Sequence, residues 1–145
     1  MGTDAGTPLF ELTPTGGSAI VFDADSGDAG LLLLNAGGDL VADVALPLAS
    51  EVLFDGTASS AVGVTPTGLA IDQAGNIVVT SLRSIGGFIA LPSTIQRILP
   101  SGQLDNGFGL DGGAILDFTG TNDIIFDSQD RLIVAGSDRT RFLFA

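Results

Sequence analysis

One phrase recurs along this chain: an apolar strand, an Asp or Thr, a tight turn, then a second apolar strand. Its fullest form is Gly68-Leu-Ala-Ile-Asp72-Gln-Ala-Gly75-Asn-Ile-Val-Val-Thr80. It returns as Asp123-Ile-Ile-Phe-Asp127-Ser-Gln-Asp130-Arg-Leu-Ile-Val-Ala135, with the two leading aspartates 55 residues apart. A looser copy opens the chain at Leu9-Phe-Glu-Leu12-Thr-Pro-Thr-Gly16-Gly-Ser-Ala-Ile-Val-Phe22. Self-similarity at such a period restricts the chain to repeat architectures, in which each unit buries its apolar face against the next.

The rest of the chain fits three such units. Apolar runs of about four to six residues alternate with Gly, Asp, Asn, Ser and Pro clusters, which is the punctuation of strands and turns. The first unit spans about 8–46, with strands at Pro8–Thr13, Ser18–Ala24, Gly30–Asn35 and Asp39–Leu46. The second spans about 67–118, with strands at Thr67–Asp72, Asn76–Leu82, Thr94–Leu99 and Gly113–Phe118. The third spans 122–145, with strands at Asn122–Asp127, Arg131–Gly136 and Arg141–Ala145, and has no fourth strand. Segments 47–66 and 83–93 read as long connections. Residues Ala42–Leu53 carry a mild helical period that Pro47 interrupts, which allows one short helical turn at most.

Several strands lack the polar–apolar alternation of a half-exposed sheet. Ile77-Val-Val79, Ile124-Ile-Phe126 and Leu132-Ile-Val134 are apolar throughout. Strands of that kind are covered on both faces. Four short antiparallel strands per unit, stacked face to face, describe the blades of a β-propeller better than a β-sandwich. The expected fold is therefore all-β, with about three propeller-like blades of four-stranded antiparallel sheets, the last incomplete, in a single domain over 1–145. Fewer than three full blades cannot close a ring, so apolar blade faces and strand edges are expected to need a partner.

Composition removes whole classes of function. The chain has no Cys, His, Trp, Tyr or Lys. Thiolate metal sites, disulfides and cysteine nucleophiles are excluded, and Ser or Thr nucleophiles lack their usual base. Net charge is −12, which argues against nucleic acid as a partner. The longest apolar runs are about five residues, far short of the ~20 of a spanning helix, so no membrane partner is expected. No signal peptide is visible. Mean hydropathy is nonetheless +0.48, high enough to suggest faces that are normally covered. The charge is uneven: residues 1–82 hold ten acids and no base, whereas 83–145 hold seven acids and all five arginines.

Pro66-Thr-Gly68-Leu-Ala-Ile-Asp72-Gln-Ala-Gly75-Asn-Ile-Val-Val-Thr80 resembles the NHL repeat and its relatives among the SMP-30/gluconolactonase-like propellers. The next stretch, Ile95-Gln-Arg97-Ile98-Leu-Pro-Ser-Gly102, is similar to the Arg-containing third strand of those blades. Leu99-Pro-Ser-Gly102-Gln-Leu104-Asp105-Asn-Gly-Phe108-Gly, with Phe126–Gly136, also resembles a bacterial delta-60 repeat. The likeness covers about residues 64–136. The first unit departs from it, with Thr13 in the place of Asp and Leu31–Leu34 in the place of the Arg-containing strand. The resemblance implies propeller blades, five to seven in a closed ring, and a setting in secreted or surface proteins of bacteria. It is nearly silent about function.

The candidate residues each have a structural reading beside the functional one. Asp72 and Asp127, at equivalent places, read as turn-forming carboxylates. Asp23, Asp25 and Asp28 have part of the spacing of a calcium loop, but Gly27 takes a ligand position and no Glu closes the loop. A solvated acidic turn is the favoured account, with calcium as the alternative. Glu11, Asn122 and Asp123 are the channel or ligand candidates, because SMP-30-like lactonases hold a divalent metal with those residue types. Arg139 and Arg141, near the open end of the third unit, are candidates for self-association with the acidic first unit of a second chain. The nine Phe residues read as core.

These readings converge on a non-enzymatic binding or structural module that self-associates, as a dimer of three blades each, or is a piece of a larger surface protein. The alternatives are a metal-dependent lactonase-type hydrolase and a sugar-binding propeller.

Overall fold

The computed structural model describes residues 7–23, 29–46, 62–85, 89–117, 119–138 and 141–144. Among these are eleven strands and no helix. Strands β1 (Leu9–Leu12), β2 (Ser18–Asp23), β3 (Ala29–Leu34) and β4 (Leu40–Leu46) form the first antiparallel sheet, in chain order. Strands β5 (Val62–Ile71), β6 (Ile77–Ile85), β7 (Ile89–Ile98) and β8 (Gly113–Ile115) form the second. Strands β9 (Gly120–Phe126), β10 (Leu132–Asp138) and β11 (Arg141–Phe144) form a third sheet of three. Within each sheet, consecutive strands are neighbours and antiparallel.

Five turns share one geometry. Each loop holds five residues, led by Thr13, Asn35, Asp72, Leu99 or Asp127. The N–H of the leader donates to the carbonyl of the fifth residue, and the N–H of the fourth donates back to the leader's carbonyl. The fourth residue has positive φ: Gly16, Gly38, Gly75 and Gly102 at 84–85°, and Asp130 at 61°. Glycine is the usual occupant because a Cβ is strained there, and Asp is among the few others that tolerate it.

Three of the leaders, Asn35, Asp72 and Asp127, hold their turns shut through their side chains. Asp72 accepts from the Asn76 N–H and from the Asn76 amide, both at 2.7 Å. Asp127 accepts from the N–H groups of Gln129 and Arg131, both at 2.9 Å, and from the Arg131 guanidinium. Asn35 accepts from the N–H groups of Gly37 and Asp39 at 2.9 Å. The recurring aspartates are therefore turn-forming groups, as their sequence positions suggest.

The three long strands of the second sheet extend beyond their expected ends. Segment 83–93 contains the continuation of β6 and the start of β7, paired as Arg83↔Leu91, Ser84↔Ala90 and Ile85↔Ile89. The register shifts between Ser81 and Arg83, opposite Pro92, because proline cannot donate to the ladder and sits at an irregularity. β5 likewise begins at Val62 and runs through Pro66 at a bulge before Gly68. Ala42–Leu46 is strand, so the allowed helical turn does not start there. Residues 47–53 lie outside the described set.

The sheets stack face to face around two separate apolar seams. Val21, Leu31, Leu33 and Leu46 of the first sheet meet Val64, Ile77, Val79 and Ile98 of the second. Ala70, Val78 and Ile95, on the opposite face of the second sheet, meet Ile124 and Val134 of the third. This explains why Ile77-Val-Val79 is apolar without alternation: each residue is at most 1% exposed, because both faces of the middle sheet are covered. The first strands gather together, with β5 beside both β1 and β9.

Candidate functional site

The turn ends of the first two sheets enclose a cleft of about 260 Å³. Thr13 and Thr15, Leu34 and Asn35, and Gln73 and Pro100 contribute to its walls. Among the described residues that line it, none has a titratable side chain. Its hydroxyls are already engaged, with Thr13 Oγ1 and Thr15 Oγ1 at 3.1 Å.

Glu11 lies on β1, and Asn122 and Asp123 lie on β9, all exposed to solvent. β5 stands between those two strands. By hairpin register, Glu11 is level with Ala70 and Ile125, whereas Asp123 is level with Gly68 and Leu9. Glu11 is thus placed on a different strand and at a different height from Asn122 and Asp123. Asn122 is the extra residue of a bulge that matches the one at Thr67. The Asp123 carboxylate accepts from the Ile124 N–H at 2.9 Å. Among the described residues, no three His, Cys, Asp or Glu side chains gather to hold a metal.

Asp23 ends β2, and its Oδ1 is buried without a hydrogen-bond partner among the described groups. Asp25 and Asp28 lie outside the described residues, as does Arg139. Arg141 opens β11 in register with Asp138.

The two outer faces of the stack are the most distinctive surfaces. In the first sheet, Phe10 and Leu12 occupy the positions that Leu69 and Ile71 occupy in the second, three residues and one residue before the leader of the same turn. Leu69 and Ile71 pack into the first seam. Phe10 and Leu12, on the uncovered side, are 59% and 64% exposed, and Leu40, on β4 at the opposite edge of the sheet, is 59% exposed. At the other end Ile125 occupies the position of Ala70. Ala70 is 5% exposed under the third sheet, and Ile125 is 53% exposed. Phe10 therefore departs from the expectation that the phenylalanines are core: its strand is apolar on a face that nothing described covers. The sequence carries the signal, because Phe10 and Leu12 align with seam residues of the next unit.

Polar groups missed in the sequence tie the seams and loops. Arg97 on β7 grips Asp105 with Nε at 2.7 Å and Nη2 at 2.6 Å, and its guanidinium lies 4.7 Å from the Phe108 ring centre. This folds the excursion before β8 onto the sheet. The Arg97 hydrogen bond, then the Gly107 N–H, hold the Asp105 carboxyl below its ordinary pKa. Arg83 is 2% exposed on β6, and burial lowers its guanidinium pKa from the ordinary value.

No protein family matches the chain, and no curated protein matches it. Among solved structures it is similar to a protein of unknown function from Bacteroides caccae, with a TM-score of 0.50 and 12% sequence identity. The likeness covers 100% of this chain and 47% of that one, so this chain spans about half the length of the structure it matches. At that identity the likeness concerns the fold alone.

Proposed function

We propose that this chain is a non-enzymatic binding or structural module built from propeller-type blades, acting through the open apolar faces of its two end sheets. The observation that carries this reading is the exposure of Phe10 and Leu12, at positions whose equivalents in the next sheet are packed in a seam. An exposed cluster of large apolar side chains on a sheet face marks an interaction surface. The stacking of three antiparallel sheets with their first strands gathered together supports the blade description. The span of about half the length of its structural neighbour supports a unit that belongs to a larger array of sheets.

The test compares the wild-type chain with a Phe10→Ser, Leu12→Ser double variant, by light scattering and by binding of an apolar fluorescent dye. The wild type is expected to associate or to bind dye. The double variant should lose that property while keeping its melting temperature. A monomeric wild type that binds no dye would overturn the proposal, since its faces would then be covered in solution.

A further inference from the structure

Resting on that reading, we infer that the occupant of the open faces is a second copy of this chain, joined head to tail: the outer face of the third sheet receives the outer face of the partner's first sheet.

The argument is one of continuity. The two internal seams repeat a single relationship. In the first, Leu9 of the preceding sheet and Leu69 of the following sheet share one apolar cluster. In the second, the equivalent residues are Gly68 and Ile124, and a Cβ on Gly68 would lie 3.0 Å from Ile124 Cγ1. Advancing the same relationship by one sheet pairs Asp123 of one chain with Phe10 of the next. It also places Leu12 of the incoming sheet beside Ile125 and Ile133, the equivalents of Ala70 and Val78. Ile125 and Ile133 therefore offer apolar groups where Ala70 and Val78 do, while Asp123 stands where the second seam has Gly68.

Area agrees with this. Strands ~4.8 Å apart and about six residues long give the face of the three-stranded third sheet on the order of 280 Å². Two such seams, as a closed pair of chains would have, bury roughly 1,100 Å², at the lower edge of what a specific interface needs, about 1,000 Å². The interface is heterologous, and two copies of three sheets make a six-sheet ring if the rotation closes.

The chain has no native cysteine, so a disulfide trap is clean. Phe10→Cys chains are mixed with Asp123→Cys chains under mild oxidation, and the wild-type mass is measured by light scattering. The expected results are a wild-type mass near twice 14.6 kDa and a cross-linked dimer that forms only in the mixture. Cross-linking of Phe10→Cys alone would show a symmetric face-to-face pair and overturn the head-to-tail inference. A monomeric wild type that binds apolar dye would overturn the second-copy inference and leave the interaction-module reading standing. The wild-type mass decides the matter independently of how the variants fold.

Discussion

The hydroxyl oxygens of Thr67 and Thr121 stand 2.5 Å apart and join β5 to β9 across the seam between the second and third sheets. Thr80 continues the chain of hydroxyls, its Oγ1 3.4 Å from that of Thr67. Thr121 is 3% exposed and Thr80 is fully buried. A buried hydroxyl that loses its partner costs its full desolvation, whereas removing both partners leaves nothing unsatisfied.

Thr67→Val and Thr121→Val are therefore each expected to lower unfolding free energy by about 1–2 kcal/mol. The double variant should cost clearly less than the two together, and urea denaturation of all four chains gives the coupling. Strict additivity would show that the two hydroxyls do not act as a pair.

Gly38 and Gly102 separate backbone strain from packing. Both sit at φ 85° in the same turn geometry. A Cβ on Gly38 meets nothing within 4 Å, whereas one on Gly102 would lie 2.6 Å from the Ala42 Cβ, across the first seam. Gly38→Ala is expected to cost about 1–2 kcal/mol, the strain of a left-handed residue. Gly102→Ala should cost a further ~1–3 kcal/mol of overpacking, because strand β4 and the turn cannot both keep their places. Equal losses in thermal or urea melts would mean that the second sheet's turn does not press on the first sheet.

The strand and turn order was legible in the sequence because it rests on local chemistry. Asn35, Asp72 and Asp127 lead turns, Gly16, Gly38, Gly75 and Gly102 supply positive φ, and unbroken runs such as Ile77-Val-Val79 mark a doubly covered strand. The far end of the second sheet was not legible. Arg83 and Ser93 are buried there, and polar residues beside Pro92 read as a connection by any rule that places apolar groups inside. The seam ties were hidden for another reason. Thr67 and Thr121 are 54 residues apart, and no local pattern marks two threonines as partners. The candidate metal residues Glu11, Asn122 and Asp123 rested on residue type alone, which does not encode their separation onto β1 and β9.

Asp130 occupies at φ 61° the position that glycine holds in the other four turns. Its Oδ1 also accepts from the Gln73 N–H at 3.1 Å, tying the third sheet's first turn to that of the second. Asp130→Asn keeps both the tolerance of positive φ and an acceptor, so it should change stability by less than about 0.5 kcal/mol. Asp130→Val loses both and is expected to cost ~2 kcal/mol or more, since a β-branched side chain is poorly accommodated there. The contrast is read from urea midpoints, and a valine variant as stable as the asparagine one would show that the turn relaxes at no cost.

Acid should reveal the two carboxylate clamps. Side-chain hydrogen bonding from Arg97 lowers the Asp105 pKa below its ordinary 3.8, and side-chain hydrogen bonding from Arg131, then the Arg131 N–H, does the same for Asp127. A depressed pKa means that the unfolded chain binds protons more readily in that window. The stabilisation from each clamp is therefore complete above pH 3.8 and is lost as pH falls through the lower folded value. Melting temperature is expected to be insensitive to these groups from neutral pH down to about 5, then to fall steeply below 4. Asp105→Asn and Asp127→Asn should each melt lower than the wild type at neutral pH and show a shallower acid limb, because a neutral amide has no proton to take up. Acid limbs of unchanged slope in both variants would place the acid sensitivity elsewhere among the chain's seventeen carboxylates.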